Sequence, residues 1–276
     1  IALLTFGARV WTRTLPKWRF KVDDWLMCIA FVLMTIMFCL QWATQTWVIA
    51  SPDLTHHSLS ALSHAMKLGA ISLPFWGWAT GLVKISIGCM LLRFQQGTPG
   101  RLLIIGMIFL NVLLIIFAGI VQMFQCVPYA SVWDFTGKYR DIKKCWGSDI
   151  SVGLLYATCV CNIVSDVVFS IMPLSFLGRI RRPLREKVVV GSLMALGLLA
   201  SIFSLCRMII QARGRNKKDP IACLVLSCFL ICLEVQVSLI AACVPTLRSS
   251  GRRALVRMGL MKDESVTEEG LSSATV

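Results

Sequence analysis

The chain has 276 residues, of which 57% are hydrophobic and 15% charged, with a mean hydropathy of +0.74. Those values exclude an ordinary soluble domain, because several apolar runs reach the ~20 residues needed to cross a ~30 Å hydrocarbon core. The net charge of +14 does not indicate a nucleic-acid partner: the basic residues form short clusters between apolar runs, where positive-inside topology and anionic lipid headgroups place them.

In chain order, "IALLTFGARV" is apolar but too short to span, and Arg9 interrupts it. It lacks the basic start and small-residue cleavage site of a signal peptide, and reads as the end of a first helix whose beginning lies outside this sequence. Six complete spans follow, over about 24–50, 67–94, 101–125, 150–176, 188–212 and 221–246. Pro52, Pro99, Pro128, Pro183 and Pro220 fall near the breaks, where a missing N–H does least harm. Pro173 and Pro245 fall near the inner ends of the fifth and seventh helices. The fold class expected is all-α: a polytopic helical membrane bundle of seven-helix type. Residues 1–247 form the bundle, and 248–276 form a basic and then acidic tail. Within the tail, "RSSGRRALVR" reads as a short amphipathic helix on the inner leaflet or as a disordered stretch.

Orientation follows from the connections. One alternate set carries Arg13, Lys17, Arg19 and Lys21, then Arg93 and Arg101, then five basic residues from Arg179 to Lys187, with five more in the tail. The other set carries fewer, grouped around Lys138–Lys144 and Arg213–Lys218. The excess puts the first set and the C-terminus in the cytoplasm, in the plasma membrane or a secretory-pathway membrane. Trp18, Trp25, Trp47, Trp133 and Trp146 fall near span ends or in loops, as interfacial anchors do.

Ten of the twelve cysteines lie in the apolar spans, where a thiol serves as a small hydrophobe. Only Cys126 and Cys145 lie in or beside a long polar connection. An oxidising compartment on that side lets them pair and staple the loop; the alternative is two separate thiols.

Within the spans four charges remain: Lys84, Asp166, Arg207 and Glu234. At ~1.5 Å per residue, Lys84, Asp166 and Glu234 lie about 13, 16 and 20 Å from the inner end, whereas Arg207 lies about 8 Å below the outer end. Similar depth predicts that Lys84 pairs with Asp166, Glu234 or both, while Arg207 is close enough to the surface to snorkel outward. Gly77, Gly81, Lys84 and Gly88 share one helical stripe, and small residues there permit close helix approach. Cys159, Asn162, Asp166 and Ser170 make a polar stripe on the fifth helix; Ser227, Glu234 and Ser238 make one on the seventh. Asn162, Ser170 and Ser238 are the expected polar support. Such a cluster is either a fixed clasp that specifies packing or a functional group of charges: a relay, a ligand anchor or a switch.

These residues carry a likeness. The chain resembles the fungal rhodopsin-domain integral membrane proteins, a seven-helix family. The resemblance rests on Arg9 and Arg13; on "DDWLM" with Asp23 and Asp24; on Lys84 and Ser86 in "KIS"; and on "FQCVPYASVW" followed by Cys145. Asn162, Asp166, "MPL", Arg207, Glu234 and "ACVPTLR" complete it in order. It implies a receptor-like sensor of a small molecule or surface cue. Retinal chemistry does not follow from the name, since residues 221–246 contain no lysine for a Schiff base.

Three function classes are open: a receptor-like sensor, an intramembrane enzyme of terpenoid-cyclase type using Asp166 or Glu234 as acid, and a small-solute transporter. A carboxyl paired with Lys84 stays ionised, which disfavours acid work. No Asp-rich diphosphate motif, nucleotide-binding loop, nucleophile elbow or half-to-half symmetry appears. His56, His57 and His64 read as solvated loop histidines rather than as copper or zinc ligands. The chain is therefore expected to be a non-enzymatic membrane protein without metal or cofactor, with the lipid bilayer as its constant partner.

Overall fold

A computed structural model describes residues 1–14, 21–49, 59–94, 97–133, 142–177, 184–214 and 220–257. Seven α-helices appear among them: α1 (Ala2–Thr14), α2 (Val22–Ile49), α3 (Leu59–Phe94), α4 (Thr98–Phe124), α5 (Ser148–Leu177), α6 (Leu184–Gly214) and α7 (Pro220–Arg257). Six of them, α2 to α7, are long and apolar enough to cross a membrane. In hydrocarbon every backbone N–H and C=O needs an internal partner, so apolar runs of this length become helices.

Two helices are longer than their sequence signatures. α3 begins at Leu59, eight residues before the apolar run expected from residue 67, and Ala65 within the extension is fully buried. α7 continues through Pro245 to Arg257 instead of ending near 246. The basic stretch from Arg248 thus continues helix α7 beyond the apolar span Val225–Val244 and is not a separate helix. Residues 258–276, expected as the acidic end of the tail, lie outside the described residues, as do Trp18, His56 and His57.

α3 is the axis of the bundle. Some 61% of its span is buried, against 17% for α4, which presents Leu102, Phe109, Ile116 and Phe124 outward. Met27, Met34 and Met37 of α2, Trp76, Ala79 and Val83 of α3, and Ile231, Val235 and Leu239 of α7 make the main apolar core. Leu91, Ile104, Phe169 and Met172 form a smaller cluster where α3, α4 and α5 meet.

The glycine stripe on α3 is divided between two neighbours. A Cβ built on Gly81 would overlap the Ile115 side chain, and one on Gly88 would lie 2.7 Å from Ile108 Cγ1, so these glycines admit α4. A Cβ on Gly77 would meet nothing within 4 Å. Lys84 reaches past this seam to α5.

The connection from α4 to α5 is pinned. Cys126 and Cys145 form a disulfide, and the same two residues are partners in a short antiparallel pair, β1 (Cys126–Val127) and β2 (Lys144–Cys145). Tyr129 lies in the 3-10 turn between them, donates its hydroxyl to the Ala70 carbonyl of α3 at 3.0 Å and stacks edge-on against Trp133. Burial pushes the Tyr129 phenol pKa up from its ordinary value. The loop is therefore docked on the bundle axis.

Substitution at the glycine seam tests this packing. Gly81→Val is expected to lower stability in detergent by about 1–3 kcal/mol through overpacking against α4. Gly77→Val, facing open space, is expected to stay within about 0.5 kcal/mol of wild type. Thermal unfolding of both variants measures the contrast.

Candidate functional site

Each of four neighbouring helices contributes one buried charge: Lys84 from α3, Asp166 from α5, Arg207 from α6 and Glu234 from α7. Lys84 Nζ lies 3.0 Å from Asp166 Oδ1. It also donates to Ser165 Oγ at 2.9 Å and to the side-chain and backbone oxygens of Asn162, both at 3.1 Å. Residues 162, 165 and 166 fall at i, i+3 and i+4, so one turn of α5 presents all the acceptors together. The ammonium is thereby fully engaged despite being only 4% exposed. Ser165 closes the nest by donating to the Asn162 carbonyl at 2.7 Å.

Glu234 does not join this pair. Its Oε2 is 3.7 Å from Arg207 Nε, and both side chains are almost fully buried. Arg207, one of the four charges within the spans and close enough to a span end to snorkel outward, is 1% exposed and stays inside. The reason is directional. Helical side chains lean toward their own N-terminus, and Arg207 lies in the last turns of α6, so it leans back toward the middle of the bundle. Its guanidinium sits 4.1 Å from the centre of the Trp76 ring, a cation–π contact, and its Nη2 lies 3.7 Å from Cys159 Sγ. Trp76 and Ser165 are site residues that sequence reasoning missed; each was visible only as one more helical residue at the right spacing.

A cavity of about 30 Å³ adjoins the first pair, lined among others by Lys84, Asp166 and Ser170, by Gly197 and Ala200 of α6, and by Ser238 and Ala241 of α7. Ser170 donates to the Asp166 carbonyl at 2.7 Å and Ser238 to the Glu234 carbonyl at 2.8 Å. Both hydroxyls expected as polar support thus stand at the wall of the cavity, on the helices that carry the two carboxylates.

A second charged cluster ties the helix ends where α1 finishes and α2 begins. Asp23 and Asp24 occupy the first turn of α2, where the helix dipole favours acids. Arg9 of α1 reaches Asp24 at 3.0 Å and Asp23 at 3.4 Å, and Arg13, one turn on, lies 3.5 Å from Asp24. Arg93 at the end of α3 meets Asp23 at 2.5 Å. Arg9 also donates to the Ala242 carbonyl of α7 at 2.7 Å, and Ser86 donates to the Asp23 carbonyl at 2.9 Å. Helices α1 and α3 thus bring arginines to the two buried carboxylates of α2, and Arg9 ties α7 to them through the Ala242 carbonyl. The sequence contained these residues, but Arg13 and Arg93 read there as topology charges.

Among the described residues no group of three or more His, Cys, Asp or Glu side chains is placed to hold a metal ion. His64 is exposed on α3.

The fold and this buried charge core define a multi-span helical membrane protein, whose surroundings are the lipid bilayer. The chain belongs to the fungal rhodopsin-domain family: it matches the fungal rhodopsin domain over residues 8–253, which takes in every charge described above. It is 25% identical over 216 residues to a SAT4 family membrane protein of Emericella nidulans (strain FGSC A4), covering 75% of this chain and 52% of that protein. It is 23% identical over 158 residues to fugralins biosynthesis cluster protein 2 of Gibberella zeae (strain PH-1), covering 57% of this chain and 34% of that protein. The chain thus spans about half the length of the first relative and a third of the second. No solved structure matches it.

The pairing makes a sharp expectation. Lys84→Met strands a buried carboxylate, a change that costs on the order of 3–5 kcal/mol in soluble proteins. Adding Asp166→Asn is expected to restore much of the lost thermal stability in detergent, whereas adding Glu234→Gln is expected to restore none.

Proposed function

We propose that this chain is a receptor-like membrane protein that senses a small molecule or surface cue, with the disulfide-pinned loop outside the cell or in the secretory lumen and the C-terminus in the cytoplasm. The observation that carries this reading is the division of the buried charges. Lys84 and Asp166 close one pair between α3 and α5, and Arg207 and Glu234 close another between α6 and α7. Neither pair crosses from one helix pair to the other. The α6–α7 hairpin can then shift against α3 and α5 without exposing a lone charge, and the cavity lies along that seam. A packed interface with two arrangements of similar energy is what a switch requires.

The cluster around Asp23 and Asp24 holds the inner end of α1, α2, α3 and α7 in register. The docked loop between α4 and α5 holds the outer end through Tyr129. A cue that moves the loop is thereby linked to the axis helix. Retinal has no place in this reading, since residues 221–246 of α7 hold no lysine for a Schiff base.

A second reading, an intramembrane enzyme acting on an apolar substrate, draws support from one relative being a biosynthesis cluster protein. Against it, neither carboxyl stands free to meet a substrate, since Asp166 is held by Lys84 and Glu234 faces Arg207, and the cavity is too small for a terpenoid.

Two measurements test the proposal. Reporter tags after Ser249 and within 134–142 are expected on opposite sides of the membrane, the tag after Ser249 in the cytoplasm. Purified protein screened against small apolar and amphipathic compounds is expected to yield one that raises Tm, as any ligand selective for the folded state does. That compound is expected to be recovered chemically unchanged. Conversion that Asp166→Asn or Glu234→Gln abolishes would establish the enzyme reading instead.

A further inference from the structure

The second ion pair is incomplete as it stands. Arg207 Nε and Glu234 Oε2 face each other at 3.7 Å, too far for a direct hydrogen bond. Both atoms are buried and find no hydrogen-bond partner among the described residues, and the same holds for Trp76 Nε1. These three atoms come from three helices and gather at one place. The Arg207 guanidinium covers the Trp76 ring, and Ser204, one turn before Arg207, turns its hydroxyl toward the Glu234 carboxylate. Two donors and one charged acceptor atom enclosed without partners are costly, and water is the small molecule that satisfies both kinds.

The cavity beside the first pair has room of the same kind. Its volume of about 30 Å³ exceeds the ~10–15 Å³ that one buried water requires, and Ser170, Ser238, Lys84 and Asp166 supply polar walls. The two places are stacked. Ala200 lines the cavity and Ser204 lies four residues on; Ser238 lines it and Glu234 lies four residues back. Four residues of helix rise about 6 Å, a distance that two bonded waters span.

We propose that this region is a built internal hydration site, in which ordered water bridges Arg207 to Glu234 and continues past Ser204 and Ser238 to the cavity beside Lys84 and Asp166. The ligand is water itself. The two ion pairs are then one hydrogen-bonded network across α3, α5, α6 and α7, so that rearrangement at either pair is felt at the other. This holds whichever compound the protein senses, and does not depend on its being a receptor.

Pulsed hydroxyl-radical labelling of the full chain in lipid nanodiscs tests it, because radicals formed from buried water oxidise the side chains next to that water. Trp76 is 3% exposed, and Met27 and Met37 are 0% and 1% exposed in the same apolar cluster. Trp76 is expected to be oxidised several-fold faster than Met27 and Met37, although methionine is intrinsically more reactive than tryptophan. Oxidation of Trp76 no faster than the two methionines overturns the proposal. A variant then tests the joining of the two places. A Cβ on Gly197 would overlap Ser170 Oγ at the cavity wall, so Gly197→Ala contracts the cavity. It is expected to slow oxidation of both Phe169, at the cavity, and Trp76, beyond it. A loss at Phe169 with Trp76 unchanged overturns the single network; if Gly197→Ala fails to fold, Ser238→Val serves as the variant, with the same two outcomes.

Discussion

An ammonium inside a bundle surrounded by hydrocarbon needs its counter-charge and its hydrogen-bond acceptors in one place, because neither water nor lipid supplies them. Lys84 meets that requirement through a single turn of α5, where Asp166, Ser165 and Asn162 converge. The rest of the arrangement is organised around this requirement. α3 must be central for its lysine to be shielded, and it is the most buried span. α4 must come close without contributing charge, and the glycines at 81 and 88 let Ile115 and Ile108 settle against the axis. With Asp166 committed to Lys84, Glu234 needs a cation of its own, and Arg207 turns inward to provide it.

Charge balance divides the molecule into layers along the membrane normal. The middle layer is formally neutral, with two pairs and small hydroxyls around them. At one end, three arginines surround two aspartates, and the surplus positive charge is carried by the more exposed Arg13 and Arg93. At the other end a covalent link and a tyrosine hydrogen bond replace electrostatics. The two ends therefore resist disturbance differently: salt weakens exposed ion pairs, while reduction opens the disulfide.

Much of this was legible in the sequence, for identifiable reasons. Span number and order follow from run length, since the bilayer admits few alternatives. The partnership of Cys126 and Cys145 follows from their being the cysteines placed in a polar connection, and that of Lys84 with Asp166 from matched depth. Arg207 had two courses open, inward or outward, because depth measured at Cα ignores which way the side chain leans. The start of α3 was set too late and the end of α7 too early because polar residues beyond a hydrophobic run can continue a helix that proteins or headgroups support. The cluster at Asp23 and Asp24 was hidden because its members come from four helices, and no local spacing announces that they meet. Adjacent acids opening one helix and Arg9 and Arg13 one turn apart in the previous helix were the available clue.

The bond from Arg9 to the Ala242 carbonyl links residues 233 apart in the chain. During synthesis its two ends enter the membrane at very different times. Arg9 can meet Asp23 and Asp24 as soon as α2 follows α1, so its charge is neutralised early and locally. The carbonyl of Ala242 becomes available only once α7 has been inserted. The same arginine thus acts first as a neutral passenger of the α1–α2 hairpin and later as the latch that joins α1 to α7. Insertion of α7 becomes the step at which α1 and α7 join, and a ribosome stalled before it leaves an open sheet of helices in which Arg207 still lacks its counter-charge.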